Sequence, residues 1–312
     1  LRSLIRLSSL ALLCSALTAP AQAGKLAIVI DDFGYRPREE NKVLEMPLPV
    51  TIAVLPNAPH AREMAQRAHA QGREILIHLP MAPLSKQPLE RDTLQPTMSE
   101  AEIQRIIRQA VGNVPYAVGM NNHMGSAMTS SLTGMQKVMR ALEQYHFLYF
   151  LDSMTISHSQ VSNAAQGTGI RVIKRKVFLD DTQSESAIRT QLNRAITLAR
   201  RNGSAIAIGH PHPATVRVLQ QMLHTLPPDI TLVRPSTLLN EAARPDPAPF
   251  AKPAHPPLKR PAFGGIRQCR VQHAPTPVHV SQAWQIVAEG VESTAPIKWL
   301  QARWRFWLGW QT

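Results

Sequence analysis

From Lys25 to about Leu239, short unbroken apolar runs alternate with amphipathic stretches. The runs at 26–30, 50–55, 74–79, 116–120, 147–151, 172–179, 205–208 and 230–233 predict strands, and their lack of polar alternation fits strands covered on both faces, as in a parallel sheet. The stretches 37–45, 58–71, 99–111, 131–145, 184–202 and 214–225 carry helical spacing. Ser99 with Glu102 forms a capping-box pattern, and Gly203 supplies the left-handed residue that a helix ending at Asn202 needs. Seven or eight strands separated by helices imply an α/β fold with a parallel sheet, open or closed into a barrel.

The pattern changes at both ends of the chain. Arg2 and Arg6 precede an apolar run over 7–17 and the small-x-small triplet at 21–23, so residues 1–23 are expected to be a cleaved signal peptide and the protein to be exported to the periplasm. Without that segment one cysteine remains, Cys269, and no intramolecular disulfide is expected. Past Asn240, seven prolines fall within 244–262, marking a linker. All five tryptophans lie between Trp284 and Trp310. The expected organisation is therefore a domain over 24–240 followed by a Pro-rich linker and a short, basic, Trp-rich C-terminal tail over 241–312. Such a tail suits a membrane surface, an envelope protein or a glycan, or packs back on the domain.

The net charge of +13 is shared between the parts: residues 24–240 carry 23 Lys and Arg against 17 Asp and Glu, and residues 241–312 carry 9 against 4. In an exported chain this charge points to an anionic envelope polymer or membrane surface rather than nucleic acid.

Chemistry collects at the strand ends. The stretch 27–34 reads Ala-Ile-Val-Ile-Asp-Asp-Phe-Gly, placing Asp31 and Asp32 where a buried strand opens into a loop. Other strand ends bring His78 (Ile-His-Leu-Pro-Met), His123 (Asn-Asn-His-Met-Gly-Ser), Asp152 (Phe-Leu-Asp-Ser), Asp180 and Asp181, and His210 (Ile-Gly-His-Pro). Parallel strands deliver all these ends to one face, where they can share a pocket. Two imidazoles and a carboxylate are the usual ligands of a catalytic divalent metal, zinc above all. A second carboxylate can act as base and a further histidine as acid. Asp180 and Asp181 read first as caps of the helix beginning near Ser184, with a catalytic part for Asp180 the lesser alternative; His212 reads as a rim residue.

In this order the five motifs resemble the divergent polysaccharide deacetylase family over roughly 25–240. The resemblance implies a distorted (β/α) barrel of about seven parallel strands. It implies Asp31 as general base, Asp32 as metal ligand, His210 as general acid, and Asp152 as the acid that orients that histidine. Deacetylases of the wider group take both metal histidines from one H-x3-H segment, but the residue four after His78 is Ala82. His123 is then the candidate third ligand beside Asp32 and His78. The arginine motif expected on the same strand is replaced by Asn121-Asn122-His123. The resulting expectation is an exported, metal-dependent hydrolase acting on an acylated or N-acetylated envelope polysaccharide; the alternative is a catalytically silent barrel that binds a glycan or a partner protein.

Overall fold

The computed structural model describes residues 23–240. The expected signal segment, apart from its last residue, and the expected linker and Trp-rich tail over 241–312 lie outside the described residues. In chain order the elements are β1 (Gly24–Phe33), α1 (Pro37–Leu44), β2 (Thr51–Val54), α2 (Ala61–Ala70), β3 (Ile75–Met81), α3 (Glu100–Asn113), β4 (Gly119–Met124), α4 (Ser126–Ser130), α5 (Leu132–Leu142), β5 (Tyr149–Asp152), α6 (Val161–Ala164), β6 (Val172–Lys174), β7 (Val177–Phe178), α7 (Glu185–Asn202), β8 (Ser204–Gly209), α8 (Pro213–Met222) and β9 (Ile230–Val233). The caps follow the chemistry of the chain. Ser99, Ser131 and Ser184 each accept a backbone N–H at a helix start, and Gly203 closes α7 with φ of 83°. Ser184, not Asp180 or Asp181, therefore caps α7.

Every strand pair is parallel, in the order β6-β5-β4-β3-β2-β1-β8-β7. The terminal strands of that order, β6 and β7, are separated in sequence by Arg175 and Lys176 alone. Three residue steps span at most about 11 Å, so the sheet must curl until its two edges nearly meet. The link itself bridges them: Arg175 N–H donates to Asp152 O and Lys176 N–H to Ile206 O. This is the distorted barrel that the motifs imply. It has nine described strands rather than about seven, because the 172–179 run breaks into two at this seam and β9 adds to β1. The edge of β1 away from β8 is shared, with 24–27 pairing with β9 and the later residues with β2.

Two apolar clusters show which way each side chain points. Ala27 and Val29 (β1), Ala53 (β2), Leu76 (β3), Tyr149 and Leu151 (β5), and Ile206 and Ile208 (β8) pack together inside the barrel. Their neighbours Leu26, Ile28, Ile30, Ile75, Ile77, Phe150, Ala205 and Ala207 pack outward against the helices. Continuing the period of two along each strand directs Asp31, His78, Asn121, Ser153 and His210 inward and Asp152 outward. At the opposite end, Glu74 closes the floor, accepting from Tyr149 Oη, Ser236 N and Ser236 Oγ.

The turn after β1 is tightly held. Glu40 of α1 is fully buried, and its Oε1 accepts from the successive N–H groups of Gly34, Tyr35 and Arg36 at 2.9, 3.0 and 2.6 Å. Gly34 has φ of 117°, and a Cβ there would lie 2.5 Å from the Ala58 side chain. Both demands exclude larger residues. Gly34→Ala is therefore expected to lower unfolding stability by about 1–3 kcal/mol, measured by denaturant unfolding of the full chain; an unchanged midpoint would contradict this account of the turn.

Candidate metal centre and active site

In a regular strand adjacent residues face opposite sides, so Asp31 and Asp32 could not share a pocket. Asp32 resolves this by adopting φ of 60°, a left-handed conformation uncommon for a residue with a Cβ. Its carboxylate swings to the mouth of the barrel while that of Asp31 stays on the inner face, 2% exposed. Met124, the last residue of β4, and Met154, just past β5, also have positive φ, of 52° and 50°. Strained backbone of this kind collects where a fold builds a functional site.

β3 and β4 pair with His78 opposite Asn121 and Pro80 opposite His123, which sets the two imidazoles two residues apart along neighbouring strands and on the same face. Three ligand atoms then converge. His123 Nδ1 lies 3.0 Å from Asp32 Oδ1, His78 Nε2 lies 3.2 Å from the same oxygen, and the two nitrogens are 3.1 Å apart. Asp32 Oδ1 is buried and has no hydrogen bond of proper geometry. Ligand atoms of a tetrahedral zinc site, at about 2.0–2.1 Å from the ion, lie roughly 3.3 Å apart, so the trio is already spaced as a divalent cation requires. The residues fit the metal.

Asn121 makes this arrangement specific. It is fully buried; its Oδ1 accepts from His78 Nδ1–H at 2.9 Å, and its Nδ2 donates to Asp31 Oδ1 at 2.9 Å and Ser153 Oγ at 3.3 Å. Holding the proton on Nδ1 leaves the lone pair of His78 Nε2 facing the cluster, the tautomer a ligand needs. The same amide fixes Asp31, whose Oδ2 is 3.6 Å from His78 Nε2.

The electrostatics divide the two acids. Burial would raise Asp32, but its contacts with His123 and His78 outweigh this and hold it well below the usual carboxylate range. Burial raises Asp31, only partly countered by His78, His210 and the Asn121 hydrogen bond. Burial would likewise lower His78, and the charges of Asp31 and Asp32 raise it instead. A proton and a metal ion thus compete for one cavity of negative potential.

His210 approaches from β8, with its Nε2 3.9 Å from Asp32 Oδ2. Its partner corrects the expectation from the motifs. Asp180 Oδ1 accepts from His210 Nδ1 at 2.9 Å, while Asp180 Oδ2 accepts from the His210 backbone N–H at 2.6 Å and from Thr215 Oγ1 at 2.7 Å. Asp152 is fully buried on the outward side and serves the loop after β5, accepting from Met154 N–H at 2.8 Å and Ser159 Oγ at 2.7 Å. Burial alone would lower the His210 pKa; the hydrogen bond and charge of Asp180, with the charges of Asp31 and Asp32, lift it to about 9. Asp180, His210 and His212 form a second group of potential ligands. Its atoms are already committed, however. His212 Nδ1 faces Arg36 Nη1 at 3.2 Å and its Nε2 faces the Gln183 amide at 3.1 Å, so it is a rim residue, as expected.

The structure therefore brings Asp31, Asp32, His78, His123 and His210 together and leaves Asp152 out. It adds Asp180 and Asn121, which the motifs did not assign. It also adds Arg175 to the wall, with Nε donating to Ser153 O at 2.5 Å, Nη2 to Met154 O at 2.7 Å and the guanidinium 4.9 Å from the Phe178 ring centre.

A parallel barrel gathers the C-terminal ends of its strands at one face, and here acids and imidazoles converge there. The sequence profile of the divergent polysaccharide deacetylase family matches residues 28–239, and the chain belongs to that family. It is 62% identical over 292 residues to YibQ of Escherichia coli K12, covering 94% of this chain and 91% of that one. A protein of Haemophilus influenzae Rd is 45% identical over 226 residues, covering 72% and 80%. A crystal structure of ATU2773 from Agrobacterium tumefaciens C58 shares the fold, with a TM-score of 0.66 at 22% identity over 70% of this chain and 91% of that one.

The pairing of Asp180 with His210 makes a measurable distinction. In the metal-free protein His210 is expected to titrate near 9. Asp180→Asn is expected to bring this value down, and Asp152→Asn to leave it in place, by NMR titration of the imidazole resonances. Because the folded pKa lies above the unfolded one, this proton adds stability that is complete below about pH 6.5 and is lost as pH rises through about 9. The reverse response of the two variants would return the orienting role to Asp152.

Proposed function

We propose that the protein is a metal-dependent hydrolase that removes acyl groups from an acylated or N-acetylated envelope polysaccharide, with Asp32, His78 and His123 holding the ion. The observation that carries this reading is the convergence of Asp32 Oδ1, His78 Nε2 and His123 Nδ1 at 3.0–3.2 Å from one another. A bound divalent ion, zinc by the nature of these ligands, supplies Lewis acidity toward a carbonyl oxygen and makes water nucleophilic near neutral pH.

The chain's own groups supply the proton transfers. Asp31 is the general base: burial raises its proton affinity toward the range where a base works best at neutral pH, and Asn121 holds it in place. His210 is the general acid. With a pKa near 9 it carries its proton at neutral pH, and Asp180 on Nδ1 directs the Nε2–H into the pocket for the departing nitrogen or oxygen. The edge of the His210 ring meets Phe178, which limits its rotation. Asp180 also stabilises the imidazolium, which keeps the proton on His210.

The envelope setting follows from the N-terminal pattern of Arg2, Arg6, the apolar run and the small-x-small triplet. The division into a signal over 1–23, a domain over 24–240 and a basic extension over 241–312 belongs to the same proposal. In it, the tryptophans of the extension meet a membrane surface, an envelope protein or the glycan.

The test separates the two aspartates. In the full mature chain, Asp32→Ala, His78→Ala and His123→Ala are each expected to abolish the roughly one equivalent of metal found by elemental analysis. Asp31→Asn should keep the metal and lose about 10²–10⁴-fold in acetate release from acetylated oligosaccharides. Metal retained by all three ligand variants, or acetate release undiminished in Asp31→Asn, would refute the assignment.

A further inference from the structure

We infer that Glu90 is a positioning residue for His123, so that the loop 82–93 helps to set how firmly the pocket holds its cation. This rests on the metal-dependent reading above. The two ligand histidines present different nitrogens to the cluster, Nε2 from His78 and Nδ1 from His123. A neutral imidazole that offers one nitrogen as a ligand carries its proton on the other, and the acceptor of that proton sets tautomer and ring orientation. For His78 the acceptor is Asn121 Oδ1 at 2.9 Å. For His123 the group facing Nε2 is the Glu90 carboxylate, with Oε1 at 3.8 Å.

Glu90 is otherwise unexplained. Its Oε2 is buried and accepts no hydrogen bond. A carboxylate oxygen kept from water without a donor costs stability, and the imidazole that this carboxylate faces is His123, whose Nε2 lies 3.8 Å from the other oxygen, Oε1, about 1 Å beyond a normal hydrogen bond. The backbone around Glu90 is well anchored. Ala82 N–H donates to Leu94 O at 2.8 Å and Leu94 N–H to Pro80 O at 2.9 Å, fastening the loop to the end of β3. Thr93 Oγ1 donates to Glu90 O at 2.6 Å, and Asn57 Nδ2 to Arg91 O at 2.9 Å. The tip is open, with Leu84 66% and Leu89 45% exposed. One imidazole is thus steadied by a neutral amide within the sheet, and the other by an anion carried on a loop at the pocket mouth. The anion also makes His123 the more electron-rich ligand.

The experiment measures zinc affinity of the full chain by chelator competition, and the His123 tautomer of the zinc-loaded protein by ¹⁵N NMR. Glu90→Ala is expected to weaken zinc binding about 10–100-fold and to shift His123 from the Nε2–H form toward a mixture. Glu90→Gln retains an acceptor oxygen and is expected to restore most of both. Leu89→Ala, in the same loop but without a carboxylate facing His123, is expected to match the parent in both. Wild-type affinity and tautomer in Glu90→Ala would overturn the inference, and so would equal losses in Glu90→Ala and Glu90→Gln, which would mark loop packing. If the parent chain takes up no zinc, the metal-dependent reading fails and this inference with it; if the parent binds zinc and Glu90→Ala binds it as tightly, the inference alone fails.

Discussion

The left-handed turn at Asp32 is the constraint on which the site depends. A strand of period two cannot send adjacent carboxylates into the same cavity, and Asp32 does so only by leaving the strand conformation at φ of 60°. Such a backbone is unfavourable for a residue with a Cβ and persists only where its surroundings hold it. The surroundings here are specific. Ile28 and Ile30 are packed under the helices, and Glu40 gathers the three N–H groups that follow the turn. Folding energy from the core is thereby converted into the placement of two adjacent acids in different electrostatic surroundings.

The second theme is charge compensation by imidazoles, without an arginine or lysine at the centre. Asp31, Asp32 and Asp180 lie around His78, His123 and His210, and Asn121, where an arginine was expected, is neutral. A guanidinium beside Asp31 would lower its pKa; an amide fixes the carboxylate while burial still raises it. The same amide sets the tautomer of His78, so a single uncharged residue links Asp31 and His78. Arg175 stands further out, spending its hydrogen bonds on the carbonyls of residues 153 and 154.

Much of this was legible in the chain. Apolar runs alternating with amphipathic stretches determined a parallel α/β fold, and parallel strands necessarily carry all their C-terminal ends to one face, so Asp32, His78, His123 and His210 could be grouped without coordinates. The order of motifs carried the family. The break of the 172–179 run at Arg175 and Lys176 was not legible, because it results from closing the barrel across a seam.

Partner choice was decided by the tertiary structure alone. Tyr149, Phe150 and Leu151 are all buried, so nothing in the sequence marks which face of β5 looks inward, and Asp152 could be matched to His210 by motif although it points the other way. Asp180 follows two short strand residues and resembles a helix cap until the pairing of β7 with β8 brings it beside His210. Asn121 acts through its register opposite His78, which a one-residue slip would destroy. The sequence by itself determined which chemical groups reach the pocket, through strand periodicity and parallel topology. Which group bonds to which was settled by register, by side-chain direction and by one left-handed turn, all of which exist only once the strands are assembled.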